Sequence, residues 1–173
     1  MLHEEKFTPA TFNDVVELEK LVNKAYRGDE SKKGWTTEAD LLDGIRTDKE
    51  SLVDMMQRPG AVILKYEEDG ELLGCVFLYK IDQELYLGML TVLPTAQGKG
   101  IGKKLVAASE QYAKNASCRF VTMTVISVRS ELIDWYKRRG YSVTGEKKPF
   151  PNDVRFGIPK QPLEFVVMKK RID

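Results

Sequence analysis

A glycine-rich turn is the part of this sequence whose residue types and spacing most clearly predict chemistry. It runs from Gln97 to Gly102 as Q-G-K-G-I-G, and a segment with the apolar spacing of a helix follows it. Glycine allows the backbone to adopt positive φ and to approach a ligand closely. The first N–H groups of a helix have no intrahelical partners and lie at the positive end of its dipole. The turn therefore predicts a phosphate-binding site, with further positive charge from Lys99, Lys103 and Lys104.

Two better-known phosphate-binding motifs do not describe this turn. A Walker A loop has the form G-x-x-x-x-G-K-[ST], but Gly98 and Gly102 enclose three residues and Lys104 stands in the hydroxyl position. A Rossmann fingerprint needs a third glycine where Leu105 lies, and it begins a βαβ unit. Here the turn follows a predicted meander of strands. It therefore belongs to another class of phosphate-binding turn.

Two further motifs accompany the turn. Gln97–Gly102 has the form Q-x-x-G-x-G, Leu90–Pro94 reads L-x-V-x-P, and Trp135–Tyr141 reads W-Y-K-R-R-G-Y. Together with the order of predicted helices and strands, these motifs closely resemble the GNAT family of acetyl-CoA-dependent N-acyltransferases over nearly the whole chain. The alternative explanation of the turn alone is a helix start whose glycines serve packing.

The resemblance implies where acetyl-CoA would bind. Backbone groups of Leu90 and Val92, on either side of Thr91, would pair with the pantetheine arm as though it were an added strand. In the family this strand usually carries a bulge that opens room for the cofactor, and the sequence alone does not display one. No metal is implied, and coenzyme A would be the product. The pyrophosphate would be held by backbone N–H groups of Gln97, Gly98, Lys99, Gly100, Ile101, Gly102 and Lys103.

Acyl transfer to an amine needs a neutral amine, a polarised carbonyl and a proton for the leaving sulfur. The sequence contains one histidine, His3, at the third position, so neither a histidine triad nor a histidine-cysteine pair is expected. The resemblance implies direct attack by the amine, with Tyr136 beside the cofactor as the proton donor; packing on the sheet is its alternative role. Many relatives have an asparagine seven residues earlier, where this sequence has Arg129. Arg129 is expected either to contact cofactor or acceptor, or to begin a helix on the surface.

The sequence leaves the general base open. Glu84 and Tyr86 alternate on one face of a predicted strand, and Tyr86 stands where some lysine-modifying relatives have a glutamate base. Glu84 is therefore a candidate catalytic base, directly or through water ordered with Tyr86 and backbone carbonyls. Its alternative role is that of a solvated charge at a strand end.

The resemblance also implies an acceptor site opposite the cofactor, formed by residues 26–28, 34–39 and 148–151. Its candidate binding residues are Arg27, Trp35, Tyr86 and Phe150. Trp35 and Phe150 would form an aromatic lining, while Arg27 and Arg46 could receive a carboxylate or phosphate. Alternatively, Trp35 anchors its own loop and the charges face water. The expected acceptor is a small-molecule amine, with a carboxylated amine as the first choice. The competing hypotheses are a protein N-terminal or lysine acetyltransferase and a non-catalytic acyl-CoA sensor.

The order of elements that would position these residues is α/β or α+β. It favours a mixed, mostly antiparallel central sheet flanked by helices, formed by residues 1–173 as one domain. Residues 146–162 contain four prolines and are predicted to be a functional loop within that domain. The spacing predicts strands at 4–8, 61–66, 72–81, 85–93, 119–126, 141–145 and 163–168, and helices at 11–28, 36–45, 48–58, 100–115 and 131–139.

Composition argues against several other classes of protein. Lys and Arg number 27 against 26 Asp and Glu, a net charge of +1, which disfavours nucleic-acid binding. Cys75 and Cys118 lie in apolar runs and predict buried thiols, without a disulfide framework or a metal site. No segment reads as a signal peptide or a membrane span, so a cytoplasmic location without a membrane partner is expected. Dimers are frequent in the resembled family, which makes a homodimer a further expectation.

Overall fold

The computed structural model of the chain describes residues 5–27, 37–39, 41–151 and 157–173. The α-helices in these ranges are α1 (Val15–Tyr26), α2 (Lys49–Gln57), α3 (Ile101–Asn115) and α4 (Ser130–Lys137). None of the helices within the described ranges has the length and apolar composition that crossing a bilayer requires. The strands are β1 (Glu5–Pro9), β2 (Leu42–Asp43), β3 (Ala61–Glu68), β4 (Glu71–Ile81), β5 (Glu84–Val92), β6 (Phe120–Ile126), β7 (Ser142–Pro149), β8 (Ile158–Pro159) and β9 (Glu164–Arg171).

Seven of these strands form one mixed sheet in the order β1-β3-β4-β5-β6-β9-β7. Neighbouring strands are antiparallel except for β5 and β6, which run parallel. Strands β2 and β8 form a separate antiparallel pair. The predicted mixed, mostly antiparallel sheet flanked by helices is therefore confirmed, while the assignment of the whole chain to one domain stays a prediction.

Side chains on the two faces of the sheet form two apolar layers. Ile63, Cys75 and Phe77 pack on one face with α1 and α2, whereas Val76 and Leu78 pack on the other with α3 and α4. Successive residues of a strand point to opposite faces, so a strand that is covered on both sides reads as a continuous apolar run. This explains the unbroken apolar sequence of β4 in the middle of the sheet.

Gly74 in β4 determines how closely α3 approaches the sheet. A Cβ at this position would lie 2.8 Å from the Thr91 carbonyl oxygen and 2.9 Å from Cδ1 of Leu105. Both distances are shorter than van der Waals contact allows, so glycine is required by packing here. The glycine turn lies at the N-terminus of α3. The close packing of α3 on the sheet therefore sets the position of this turn relative to the end of β5.

The predicted helix at residues 36–45 is wrong over its second half. Leu42–Asp43 forms β2 and pairs with Ile158–Pro159. Gly44 then has a φ of +91°, which a helix does not contain. Leu42 is buried while Ile45 is exposed, so the spacing of apolar residues reflects tertiary pairing of a short strand rather than one face of a helix.

The predicted loop at residues 146–162 is wrong at its beginning. Strand β7 continues to Pro149 because it pairs with β9 on both sides of an irregularity between Val143 and Lys147. Gly145, with a φ of +92°, lies inside this irregularity and allows the strand to resume. The sequence pattern places a turn at Gly145, but it does not show that the same strand continues beyond it.

Candidate active site

Strands β5 and β6 separate in the middle of the sheet. Their parallel pairing joins Glu84 to Phe120, Leu85 to Val121 and Tyr86 to Thr122, and the ladder between these two described strands ends there. The later residues of both strands then border an opening. A backbone polar group that has no partner in a neighbouring strand is available to a ligand.

A bulge in β5 accompanies this separation. Cys75 pairs with Thr91 and Phe77 pairs with Gly88, so an advance of two residues on β4 matches an advance of three on β5. Within this stretch Met89 has a φ of +52°, which is uncommon for a residue with a side chain. A bulge of this kind bends its strand and increases its twist. The bulge that the family resemblance implied for this strand is therefore present in the structure.

The glycine turn lies at the end of β5. Gly98 has a φ of +91°, and Gly100, the residue that precedes α3, has a φ of +75°. No described heavy atom lies within 4 Å of the position that a Cβ would occupy at either glycine, so the space above the turn is open. A cavity of about 360 Å³ occupies this space, and it is lined by Val92, Gln97, Gly98, Gly100, Ile101, Gly102, Lys103 and Trp135.

The turn has the features that bind a diphosphate. The N–H groups of the first residues of α3 have no intrahelical partners, and Gly100 has no side chain that could cap them. The helix is 15 residues long, so the positive end of its dipole lies in the same place. Of the residues predicted to hold the pyrophosphate, Lys99 does not line the cavity, and neither does Thr91 of the stretch predicted to bind the pantetheine arm. Thr91 is buried, and its hydroxyl donates to the Met89 carbonyl oxygen at 2.8 Å.

A larger cavity of about 430 Å³ lies where β5 and β6 separate. It brings together seven of the residues predicted from the sequence: Arg27, Arg46, Tyr86, Leu90, Arg129, Tyr136 and Phe150. Glu38 and Thr124 also line it. Trp35, the remaining predicted acceptor residue, lies outside the described residues. Among the described residues, no cluster of His, Cys, Asp and Glu side chains is arranged to hold a metal ion.

Tyr136 projects from α4 into the wall of this cavity. Its side chain is 5% exposed, and its ring packs edge-on against those of Trp135 and Tyr141 at centroid distances of 5.1 and 5.9 Å. Burial raises the pKa of the Tyr136 hydroxyl, the nearby phenol of Tyr26 adds to this, and Arg129 opposes it. Tyr136 is therefore held in its protonated form and can act as a proton donor.

Arg27 and Glu38 form a buried ion pair in the cavity wall. Nε and Nη2 of Arg27 donate to Oε1 of Glu38 at 3.1 and 2.8 Å, and Nη1 donates to the Ile45 carbonyl oxygen at 3.0 Å. Nη1 of Arg129 lies 3.9 Å from the other oxygen, Oε2 of Glu38. The guanidinium of Arg27, predicted to receive the acceptor, is thus engaged by the protein itself. Its observed partners make it a residue that positions Glu38.

Arg46 lines the same cavity but is held differently. Its guanidinium lies over the ring of Tyr26 at 5.3 Å from the centroid, and the Tyr26 hydroxyl donates to the Leu90 carbonyl oxygen at the bulge. Burial raises the pKa of Tyr26 to about 12. Oδ1 of Asn23 on α1 accepts from the backbone N–H groups of Arg46 and Thr47 at 2.8 and 3.0 Å. The backbone of Arg46 is therefore fixed to α1.

Glu84 is the predicted catalytic residue that the structure does not bring to the cavity. Its carboxylate pairs with the ammonium of Lys169, and its side chain is 40% exposed. Glu84 belongs to the paired end of β5 and β6, whereas the cavity opens beyond Tyr86. The ring of Tyr86 covers Gly88, since a Cβ there would lie 2.7 Å from Cε1 of Tyr86. The Tyr86 hydroxyl lies 3.4 Å from Oγ1 of Thr124 on β6.

Tyr26, Glu38, Thr124 and Trp135 are among the cavity residues that were not named individually as functional from the sequence. Tyr26 and Glu38 belonged to segments expected near the acceptor, residues 26–28 and 34–39, but neither residue was given a role of its own. A usable signal was available for Trp135, which lies next to Tyr136 in the same motif. Thr124 is one of two threonines in an otherwise apolar strand, and such a residue has to find a polar partner when it is buried.

Comparisons with known proteins agree with this geometry. Residues 15–141 match the family model described as the Acetyltransferase (GNAT) family. An amino-acid acetyltransferase from Ralstonia nicotianae is 30% identical over 118 residues, which are 67% of this chain and 25% of that protein. The chain thus spans about a quarter of the length of this curated relative.

Solved structures share the fold at low sequence identity. The ribosomal-protein-S18-alanine N-acetyltransferase from Escherichia coli has a TM-score of 0.75 and 10% identity, with 98% of this chain and 95% of that chain covered. The PaiA N-acetyltransferase from Thermoplasma acidophilum, solved in complex with coenzyme A, has a TM-score of 0.68 and 19% identity, with 99% of both chains covered.

Proposed function

Since the chain belongs to the GNAT acetyltransferase family, we propose that it transfers an acetyl group from acetyl-CoA to the primary amine of a small molecule. The observation that carries this proposal is the opening between β5 and β6. Leu90 of β5 lines the larger cavity and Val92 lines the cavity at the glycine turn, so one strand connects the two. The same opening has Tyr136 in its wall.

The residues around the opening fit acetyl-CoA. The pyrophosphate would bind the N–H groups of the glycine turn and of the first residues of α3. The carbonyl oxygens of Leu90 and Val92 accept from the Tyr26 hydroxyl and, at 3.2 Å, from Nε2 of Gln97. A carbonyl oxygen has a second lone pair, so each of them can also accept from an amide of the pantetheine arm. Bound in this way, acetyl-CoA supplies an activated thioester.

Tyr136 would donate its proton to the departing sulfur. In the reaction a bond forms between the acceptor nitrogen and the acetyl carbon, and the bond from that carbon to sulfur breaks. The raised pKa of Tyr136 keeps the proton available over the whole neutral range. We assign the removal of the amine proton to water held by the hydroxyls of Tyr86 and Thr124, because both line the cavity and Glu84 does not.

A compact acceptor fits the site better than an extended chain. The larger cavity, of about 430 Å³, is within the usual size of small-molecule sites, about 300–1,000 Å³. Its lining combines apolar side chains with polar and charged ones, as expected for recognition of a polar small molecule. The relative from Ralstonia nicotianae bears the name of an amino-acid acetyltransferase, which supports the same substrate size. The cytoplasmic location and the homodimer expected from the sequence stay predictions.

Thiol release from acetyl-CoA tests this proposal. The purified chain would be assayed against amino acids, polyamines, aminoglycosides and short peptides, with Tyr136→Phe in parallel. Tyrosine-dependent release with a small amine supports the proposal. Release with peptides alone would replace it with a protein acetyltransferase, and binding of acetyl-CoA without release to any amine would favour a sensor. Failure to bind acetyl-CoA would contradict the whole proposal, because acetyl-CoA is the proposed acetyl donor.

A further inference from the structure

The described residues of the larger cavity carry an excess of positive charge. Arg27, Arg46 and Arg129 line it together with Glu38 as the acidic residue among them. These three cationic side chains and one anionic side chain leave a formal excess of two positive charges. Such a wall attracts an anionic group and repels an acceptor that carries only positive charge. The cavity is therefore expected to favour an acceptor that carries an anionic group, in addition to limiting the size of the acceptor.

Two of the three arginines already face Glu38. Arg27 binds Glu38 through two nitrogens, and Arg129 lies close to the second carboxylate oxygen. The guanidinium of Arg46 lies over the ring of Tyr26, and it forms no ion pair with any described carboxylate. A guanidinium that lies over an aromatic face keeps its in-plane N–H donors directed outward, where they can bind a carboxylate with two parallel hydrogen bonds.

The position of Arg46 connects this anion-binding group to the reaction. Tyr26 carries Arg46 over its ring and holds the Leu90 carbonyl oxygen with its hydroxyl. The ring and the hydroxyl of Tyr26 thus contact Arg46 and the bulged segment of β5, respectively. Because Asn23 fixes the backbone of Arg46, the fold sets the distance between Arg46 and this segment. An acceptor that reaches both must be short.

We propose that Arg46 binds the carboxylate of the acceptor, and that the acceptor is an amino acid or a similarly short amino carboxylate. The inference rests on the proposed function, because it assigns the acceptor of the same reaction. A carboxylate matches a single guanidinium fork. Recognition of a phosphate group commonly uses a cluster of arginines. In this cavity the other two arginines, Arg27 and Arg129, face Glu38.

The test compares acceptors that differ only in the carboxylate. The protein would be assayed with the standard amino acids, with their α-amides, and with phosphoethanolamine beside ethanolamine. Wild-type enzyme is expected to prefer the acids over the amides. In Arg46→Gln the KM for the acids should rise at least about tenfold, the effect of losing a charged hydrogen bond. The KM for the amides and for acetyl-CoA should stay unchanged, and Arg46→Lys should lie between Arg46→Gln and the wild type.

Arg58→Gln is the matched control. Arg58 also lies over aromatic rings, those of Phe77 and Tyr79 at 6.0 and 5.9 Å, but it does not line the cavity. This variant should keep the wild-type preference for acids. Thermal unfolding of every variant shows whether Arg46→Gln destabilises the fold. If Arg46 acts only through packing on Tyr26, its loss should lower the turnover of acids and amides alike.

The outcomes separate this inference from the proposed function. If no amine gives thiol release, the proposed function fails and the inference fails with it. If amines are acetylated but the wild type uses α-amides as well as acids, only the inference fails. It is also overturned if Arg46→Gln weakens acids and amides equally, or if phosphoethanolamine is preferred over every acid.

Discussion

The cofactor side and the acceptor side of the candidate site are built from different parts of the polypeptide. On the cofactor side, the glycine turn and the end of β5 come from one continuous segment, Leu90–Lys103, and offer mainly backbone groups. On the acceptor side, Arg27, Glu38, Arg46 and Arg129 come from segments far apart in the sequence and offer side chains. A backbone site can recognise a constant group such as a diphosphate, whereas side chains can be exchanged to recognise another acceptor.

Tyr136→Phe should have the largest effect, because Tyr136 is the proposed proton donor at the place where the two sides meet. Loss of the proton donor is expected to lower kcat by about a hundredfold to ten-thousandfold. The KM values for acetyl-CoA and for the acceptor should change little, because the ring and its packing on Trp135 and Tyr141 are kept. Steady-state kinetics with both substrates varied will measure this. A fall in kcat of less than about threefold would make packing the main role of Tyr136.

The pH profile of the wild type sharpens this prediction. Burial raises the pKa of Tyr136 above its ordinary value of 10.0, so the hydroxyl stays protonated while the pH rises through that value. We therefore expect that, between pH 8 and pH 10, the kcat of the wild type shows no decline that is missing from the profile of Tyr136→Phe. The two profiles should have the same shape over this range. A tyrosine-dependent decline centred below pH 10 would contradict the assignment.

Glu38→Gln should have the next largest effect, and it concerns the acceptor side alone. The change leaves the guanidinium of Arg27, a residue 7% exposed, without its counter-charge. Breaking one side of a buried pair costs about 3 kcal/mol of the free energy of unfolding. Urea denaturation will measure it, and the double variant Arg27→Gln/Glu38→Gln should lose less than the sum of the two single changes. Additive losses would show that the two residues do not act as a pair.

Gly100→Ala should act on the cofactor side alone. The positive φ of Gly100 costs alanine about 1–2 kcal/mol, and any relaxation of the turn moves the N–H groups that would hold the pyrophosphate. We expect the KM for acetyl-CoA to rise about tenfold with an unchanged acceptor KM. Gly70→Ala is the control, because Gly70 also has a positive φ, +82°, and also has no described atom within 4 Å of a Cβ. It should cost similar stability without changing either KM.

The same contrast between the two sides explains what could be predicted from the sequence. The predicted cofactor side is local, so the spacing of Gln97, Gly98, Gly100 and Gly102 was sufficient to predict the turn that the structure contains. The hydrogen bonds at two helix starts are also local: Asp14 accepts from the Thr11 N–H at 2.8 Å in the short 3-10 turn before α1, and Asp48 at the start of α2 accepts from the Ser51 N–H at 2.8 Å. Such short-range hydrogen bonds leave a signature in adjacent residues.

The acceptor side depends on contacts between distant segments, and these leave no local signature. Arg27 and Glu38 were both in regions expected near the acceptor, but nothing in the sequence shows that one neutralises the other. The strand at residues 42–43 exists only because residues 158–159 pair with it. Met89 shows the same limit within β5, since an apolar residue in an apolar run gives no indication of a bulge.

Glu84→Gln should have the smallest effect, although the sequence made Glu84 a candidate base. The ion pair between Glu84 and Lys169 is partly exposed, with 40% and 33% of the two side chains accessible. Exposed pairs of this kind contribute about 1 kcal/mol or less. Because the cavity opens beyond the paired end of β5 and β6, kcat should stay within about twofold of the wild-type value. A hundredfold loss of kcat with unchanged stability would make Glu84 the base after all. It would also mean that the active site extends into the paired part of β5 and β6 and does not end at Tyr86.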